Sequence, residues 1–252
     1  PGAVAVAPPD GPAPVWLVAD LGSGRILGGR DPYGAHAPAS TIKPLLAMVV
    51  MDQVAPEAAM RATAANTDVE CSCVGLVPGA VYTARQLLDA LLMVSGNDAA
   101  NALADMVGGY RVAVQKMNFK AAQLGARNTR AGSPSGLDGP GWESVTTAHD
   151  LAVIYRAALN YPLFTQIIHQ STASFPDGRG GVKQIASHDD LLPDYPGFIG
   201  GKTGYTNLAK ETYVAMAQRG GTRLVAVMMY GSDDLWDQGR ALLDWGFSQS
   251  GQ

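Results

Sequence analysis

Residues 40–51 read STIKPLLAMVVM: a hydroxyl and an amine three positions apart, followed by eight apolar residues in succession. The run leaves no polar face, so the helix predicted over Leu45 to Val54 has to be packed on all sides by other elements. The rest of the chain supplies them. Val15 to Ala19, the turn Gly22-Ser23-Gly24 and Arg25-Ile26-Leu27 predict a β-hairpin near the start. Thr212 to Met216 and Arg223 to Met229, rich in β-branched and apolar residues and separated by Gly220-Gly221, predict a second hairpin near the end. Between them the periodicity is helical. Thr83 and Gln86 form a capping box ahead of Leu87-Leu88 and Leu91-Leu92. Ala99 to Val107, Arg111 to Leu124, Ala148 to Leu159 with Thr147 as N-cap, and Leu235 to Phe247 follow as further helices. Strands at both ends with helices between them imply one sheet assembled from distant segments. This is an α+β arrangement with an all-helical insertion at about 51–150.

Composition bounds the function classes. Of 252 residues, 47% are hydrophobic and 16% charged, which excludes disorder over most of the length. The formal charge of -4 and the absence of any Lys/Arg run give nucleic acid no electrostatic footprint, so no nucleic-acid partner is expected. The longest apolar run ends at Asp52, well short of the roughly 20 residues of a membrane helix. Residues 1–14, mostly Ala, Pro, Gly and Val, read as a flexible N-terminal tether ahead of one catalytic domain over 15–252. Cys71 and Cys73 form either one local disulfide or two thiols; no second Cys pair or His pair completes a metal site, and no metal or cofactor is expected. His36, His149, His169 and His188 show no ligand spacing and read as structural or surface residues.

Three short motifs carry the chemistry. Ser40-Thr41-Ile42-Lys43 puts Ser40 and Lys43 on one helical face. A free serine is a weak nucleophile, and a lysine at its reference pKa of about 10.4 is almost always charged at pH 7. Bringing the amine near neutrality takes about 3 units, or roughly 4 to 5 kcal/mol, which burial and a second nearby cation supply together. The motif therefore predicts another lysine close by. Ser95-Gly96-Asn97 offers a second hydroxyl and an amide, and Lys202-Thr203-Gly204 offers the cation, a hydroxyl and a glycine that permits close backbone approach. Each motif alone is weak; all three in this order arise by chance in about one such chain in a thousand. A nucleotide-binding reading of Gly201-Lys202-Thr203 fails. Pro196 stands where a P-loop needs glycine, and Tyr205 to Met216 trends towards a strand rather than a helix.

With these motifs the chain resembles the low-molecular-mass penicillin-binding proteins, the serine D-alanyl-D-alanine carboxypeptidases of the peptidase S11 type. The likeness covers most of residues 15–247 and includes SGNDAANALA at 95–104, Met117-Asn118, Leu124-Gly125, Pro134-Ser135-Gly136-Leu137-Asp138 and Thr147 to Ala152. It implies a β-lactamase/DD-peptidase-like fold, an antiparallel sheet flanked by helices. It also implies Ser40 as the acylated nucleophile, Lys43 as its base, Ser95 and Asn97 as proton-relay and substrate-amide contacts, and Lys202 as the residue that tunes the field. Thr203 would meet the terminal carboxylate of the substrate. Gly204, Tyr205 and Thr206 would complete the substrate-binding strand, the backbone amides of Ser40 and Tyr205 forming an oxyanion hole. The implied substrate is the peptidoglycan stem peptide, with β-lactam antibiotics as covalent inhibitors. The implied location is extracytoplasmic in a bacterium, any membrane association lying in segments outside these 252 residues. A β-lactamase of the same fold and a non-catalytic cell-wall-binding relative are the alternatives. No E-x-x-x-N or E-x-x-L-N pattern surrounds Glu57, Glu70, Glu143 or Glu211, which weighs against a class A lactamase.

Overall fold

A computed structural model describes residues 6–250. A five-stranded antiparallel sheet in the order β2-β1-β9-β8-β7 forms the centre, built from β1 (Val15–Asp20), β2 (Ile26–Arg30), β7 (Phe198–Thr206), β8 (Lys210–Arg219) and β9 (Thr222–Gly231). The two ends of the chain thus share one sheet. The remaining elements are α1 (Lys43–Gln53), β3 (Ala59–Arg61), α2 (Ala64–Thr67), β4 (Val81–Thr83), α3 (Ala84–Met93), α4 (Asn97–Met106), α5 (Tyr110–Leu124), α6 (Ala148–Ala158), α7 (Pro162–Ile168), β5 (Thr172–Pro176), β6 (Val182–Ala186) and α8 (Trp236–Ser250). Among the described residues, no helix is long and apolar enough to cross a membrane.

The central strands are buried on both faces, which explains their near-continuous apolar runs. Alternate residues serve two cores: Val214, Met216, Val225 and Val227 pack with α1, α3, α4 and α6, whereas Tyr213, Ala215, Ala226 and Met228 pack with Leu242 and Leu243 of α8. Helix α1 is the hub of the larger core. Its residues from Lys43 to Val50 are all buried, as an apolar run without a polar face requires. The Thr83–Gln86 capping box and the Thr147 cap, whose hydroxyl accepts from Asp150 N, both form as the sequence predicts.

Three expectations are corrected. The stretch at 51–150 is not wholly helical, because β3 and β4 pair into a short antiparallel ribbon ahead of α3. The predicted strand from Tyr205 to Met216 is two strands, broken where Thr206 Oγ1 accepts from Ala209 N (3.0 Å) and Lys210 takes a left-handed φ of 59°. Residues 1–5 of the predicted tether over 1–14 lie outside the described residues, and its described part is fastened to α8. Gln238 brackets Ala13 through both its amide atoms (2.8 and 3.0 Å), and Trp245 Nε1 donates to Val6 O. Helix α7 and the β5–β6 hairpin are additions, and the hairpin's alternation is masked because outward positions such as Val182 are also apolar.

Candidate active site

Ser40 does not open an α-helix. It lies in a 3-10 turn, Ala39–Ile42, that leads directly into α1. Three residues per turn bring positions i and i+3 into line, so Lys43 Nζ lies 2.8 Å from Ser40 Oγ, within hydrogen-bond distance. Pro44 falls in the first turn of α1, where its missing N–H costs no helical bond. Two braces hold the turn. Tyr155 OH donates to Thr41 O (2.7 Å), and Gly136, at φ +87°, packs so closely that a Cβ there would collide with the Ala39 carbonyl. Ala39 itself sits at a left-handed φ of 51°, a conformation that costs an L-residue of order 1 kcal/mol and is kept where a site needs it.

Ser95 is the second non-glycine residue of the site with a positive φ, at 57°. That conformation aims both its carbonyl and its hydroxyl at one amine: Lys43 Nζ donates to Ser95 O (2.7 Å) and to Asn97 Oδ1 (2.7 Å) and lies 2.8 Å from Ser95 Oγ. On the other side of the same hydroxyl, Lys202 Nζ donates to Ser95 Oγ at 2.9 Å and to Thr203 O at 2.7 Å. Ser95 Oγ thus stands between two lysine amines. Both are enclosed, with Lys43 at 0% and Lys202 at 4% exposure.

This environment sets their charge. Burial drives the Lys43 amine well below the ordinary lysine range, the charge of Lys202 pushes it further, and Asp98 opposes both. Lys202 is lowered by burial to about 7, with Asp189 pulling it up. A neutral Lys43 has a lone pair free to accept the Ser40 proton, while a charged Lys202 stabilises negative charge nearby.

Gly204 brings strand β7 against Ser40. A Cβ at this position would stand 2.7 Å from Ser40 N and from Thr212 Oγ1, so only glycine allows the two backbones to meet. Thr212 Oγ1 lies within hydrogen-bond reach of both Pro38 O and Gly204 O and ties the same segments together. Thr203, Gly204, Tyr205 and Thr206 all line a cleft of about 300 Å³ with Ser40, Ser95 and Asn97. Thr206 braces the rim there, its hydroxyl donating to Asp138 Oδ2 at 2.9 Å.

Several cleft residues carry no signal in the sequence. His188 lines the cleft, its pKa lowered first by burial and then by the charges of Lys202 and Lys43. Glu70, Cys71 and Ser72 form part of the wall, and Cys71 is disulfide-bonded to Cys73, which settles the two options left open for these residues. Asp98, 1% exposed, accepts from the amides of Val74, Gly75, Leu76 and Ala99 and so holds this wall to the start of α4. The acid that directly follows the Ser95-Gly96-Asn97 motif is the one sequence signal that could have found such an anchor.

Known proteins resemble the chain along nearly all of its length. It is 56% identical over 249 residues to D-alanyl-D-alanine carboxypeptidase DacB2 of Mycobacterium tuberculosis H37Rv, an alignment covering 97% of this chain and 85% of that protein. The crystal structure of a D-alanyl-D-alanine carboxypeptidase from the same organism superposes with a TM-score of 0.94 at 56% identity, covering 98% of this chain and 95% of the other. The Streptomyces K15 DD-transpeptidase superposes with a TM-score of 0.89 at 27% identity, covering 96% of this chain and 100% of that one. The peptidase S11 family profile, described as D-alanyl-D-alanine carboxypeptidase, matches residues 3–233, and the chain belongs to that family.

Proposed function

We propose that this protein is a serine D-alanyl-D-alanine carboxypeptidase that removes the terminal D-Ala from peptidoglycan stem pentapeptides through an acyl-enzyme on Ser40, and that penicillins acylate the same oxygen. The observation that carries this reading is the Lys43 amine, fully buried and 2.8 Å from both the Ser40 and Ser95 hydroxyls, with Lys202 on the far side of Ser95.

In the first step Ser40 Oγ attacks the carbonyl carbon of the D-Ala-D-Ala bond while neutral Lys43 takes its proton. The developing oxyanion is received by the backbone amides of Ser40 and Tyr205, which the bare Cα of Gly204 brings together. Ser95 Oγ, bonded to the protonated Lys43, passes a proton to the leaving nitrogen and D-Ala departs as the amine. Lys202 and the Thr203 hydroxyl hold the terminal carboxylate. Asn97, whose Oδ1 accepts from Lys43 and whose Nδ2 has one hydrogen on Glu70 O, has its second amide hydrogen for the peptide carbonyl of the substrate. Water then repeats the sequence on the acyl-enzyme and restores the Ser40 hydroxyl. Such a substrate places the enzyme outside the cytoplasm.

Intact-mass spectrometry after exposure to benzylpenicillin, followed by peptide mapping, tests the reading. One adduct on Ser40, and release of D-Ala from a D-Ala-D-Ala peptide by the native chain but not by Ser40→Ala, are the expected results. An adduct elsewhere, or no turnover, refutes it.

A further inference from the structure

The Cys71–Cys73 disulfide closes a three-residue ring on the wall of the cleft. Residues 68–77 contain no helix or strand, and Glu70, Cys71 and Ser72 are exposed. Even so, this loop is bonded directly to a residue at the centre of the site. Asn97 N donates to Ser72 O (2.8 Å) and Asn97 Nδ2 donates to Glu70 O (2.7 Å), so the two carbonyls come from the residue before the ring and the residue inside it. Ser72 Oγ adds a bond to Val94 O (3.2 Å).

The Glu70 bond decides which way the Asn97 amide faces. A carbonyl only accepts, so it takes the nitrogen side and leaves Oδ1 on Lys43 Nζ (2.7 Å). Turned over, the amide would set N–H groups against the lysine and oxygen against oxygen. The Asp98 carboxylate anchors residues 74–76, but Glu70 to Ser72 lie beyond its reach. For three exposed residues the conformational freedom regained on opening the ring rivals the net return from the bonds to Asn97. The ring therefore decides whether this arrangement persists.

We propose that the Cys71–Cys73 bridge is a positioning element of the acylation centre. It holds the Glu70 and Ser72 carbonyls in one arrangement, thereby orients Asn97, and through Asn97 keeps the Lys43 amine against Ser40. The proposal rests on the carboxypeptidase reading of the site.

Reduction with dithiothreitol provides the test. One dithiol transfers two electrons and two protons to the bridge, leaving two cysteine thiols and the cyclic oxidised reagent. Acylation by benzylpenicillin is followed by time-resolved intact mass over a range of drug concentrations, which separates the first-order acylation constant from the apparent binding constant. In the reduced enzyme the first-order constant is expected to fall by about tenfold or more, with a smaller change in the binding constant. Reoxidation should restore it. The Cys71→Ser/Cys73→Ser variant should show the low rate with or without dithiol. An unchanged rate in the reduced or doubly substituted enzyme, or a loss confined to the binding constant, overturns the proposal. Global unfolding on reduction, seen by circular dichroism, overturns it as well, since the bridge would then serve the fold. If the variant does not fold, the reduced native enzyme decides. Failure of the oxidised native enzyme to acylate on Ser40 would instead refute the underlying reading of the site.

Discussion

Substituting Gly204 by Ala adds a methyl group that would stand 2.7 Å from Ser40 N, 2.7 Å from Thr212 Oγ1 and 3.1 Å from the Ala39 Cβ. The two shortest distances fall about 0.7 Å below ordinary van der Waals contact. None of these atoms is the free end of a flexible side chain. Ser40 N is backbone, Thr212 Oγ1 is engaged with Pro38 O and Gly204 O, and Ala39 is already held at a positive φ. Strand β7 has to yield, because among the described residues it is an edge strand paired only with β8. Moving it outward separates the Tyr205 and Ser40 amides by most of an ångström. A misplacement of that size costs about 100-fold in rate, and loss of one oxyanion donor costs about 100- to 1000-fold, or roughly 3 to 4 kcal/mol. Acylation of the Gly204→Ala enzyme by benzylpenicillin should therefore slow by about two to three orders of magnitude in a time-resolved intact-mass assay. The overpacking should cost only about 1 to 3 kcal/mol of stability, because β1, β9 and β8 keep their pairing. A folded variant that acylates within about threefold of the native rate would refute the close approach of β7 as the source of the oxyanion site.

The remaining predictions concern charge and anchoring. Lys202 depresses the Lys43 amine, so Lys202→Met should raise the Lys43 pKa and move the acid limb of the acylation–pH profile to higher pH; an unmoved limb would show that burial alone tunes Lys43. Lys202 has a folded pKa of about 7 against an ordinary value of 10.5, so between those values the unfolded chain binds the extra proton. The native protein should then gain stability with rising pH across that window, by at most about 1.4 kcal/mol per pH unit from this group, and urea unfolding of Lys202→Met should lack that contribution. Asp98→Ala leaves the amides of Val74, Gly75, Leu76 and Ala99 without their shared carboxylate and should destabilise the fold by about 3 kcal/mol in chemical denaturation.

Much of the site was legible because its residue types are rare in combination. Ser40 with Lys43, Ser95 with Asn97, and Lys202 with Thr203 and Gly204 each sit where a local spacing or a strand end announces them, and the structure brings all seven into one cleft region. The demand for a second lysine followed from the acid–base chemistry of the first. The cleft wall was not legible. His188 and Glu70 to Ser72 approach the site through loops, whose paths follow from long-range contacts such as the Asp98 anchor rather than from any periodicity of their own. The 3-10 geometry at Ser40 is not legible in the sequence, because three- and four-residue spacing look alike over a single turn.

Read alone, the sequence determined the two terminal hairpins, the main helices and which groups are chemically competent, because periodicity, capping and side-chain type are local properties. Reactivity belongs to the tertiary structure. Ser95 Oγ meets one amine from 52 residues earlier in the chain and another from 107 residues later. Only the closed sheet and the buried hub helix place them there, away from water. A lysine becomes a base through loss of solvent and the presence of a like charge, and both are conditions of packing.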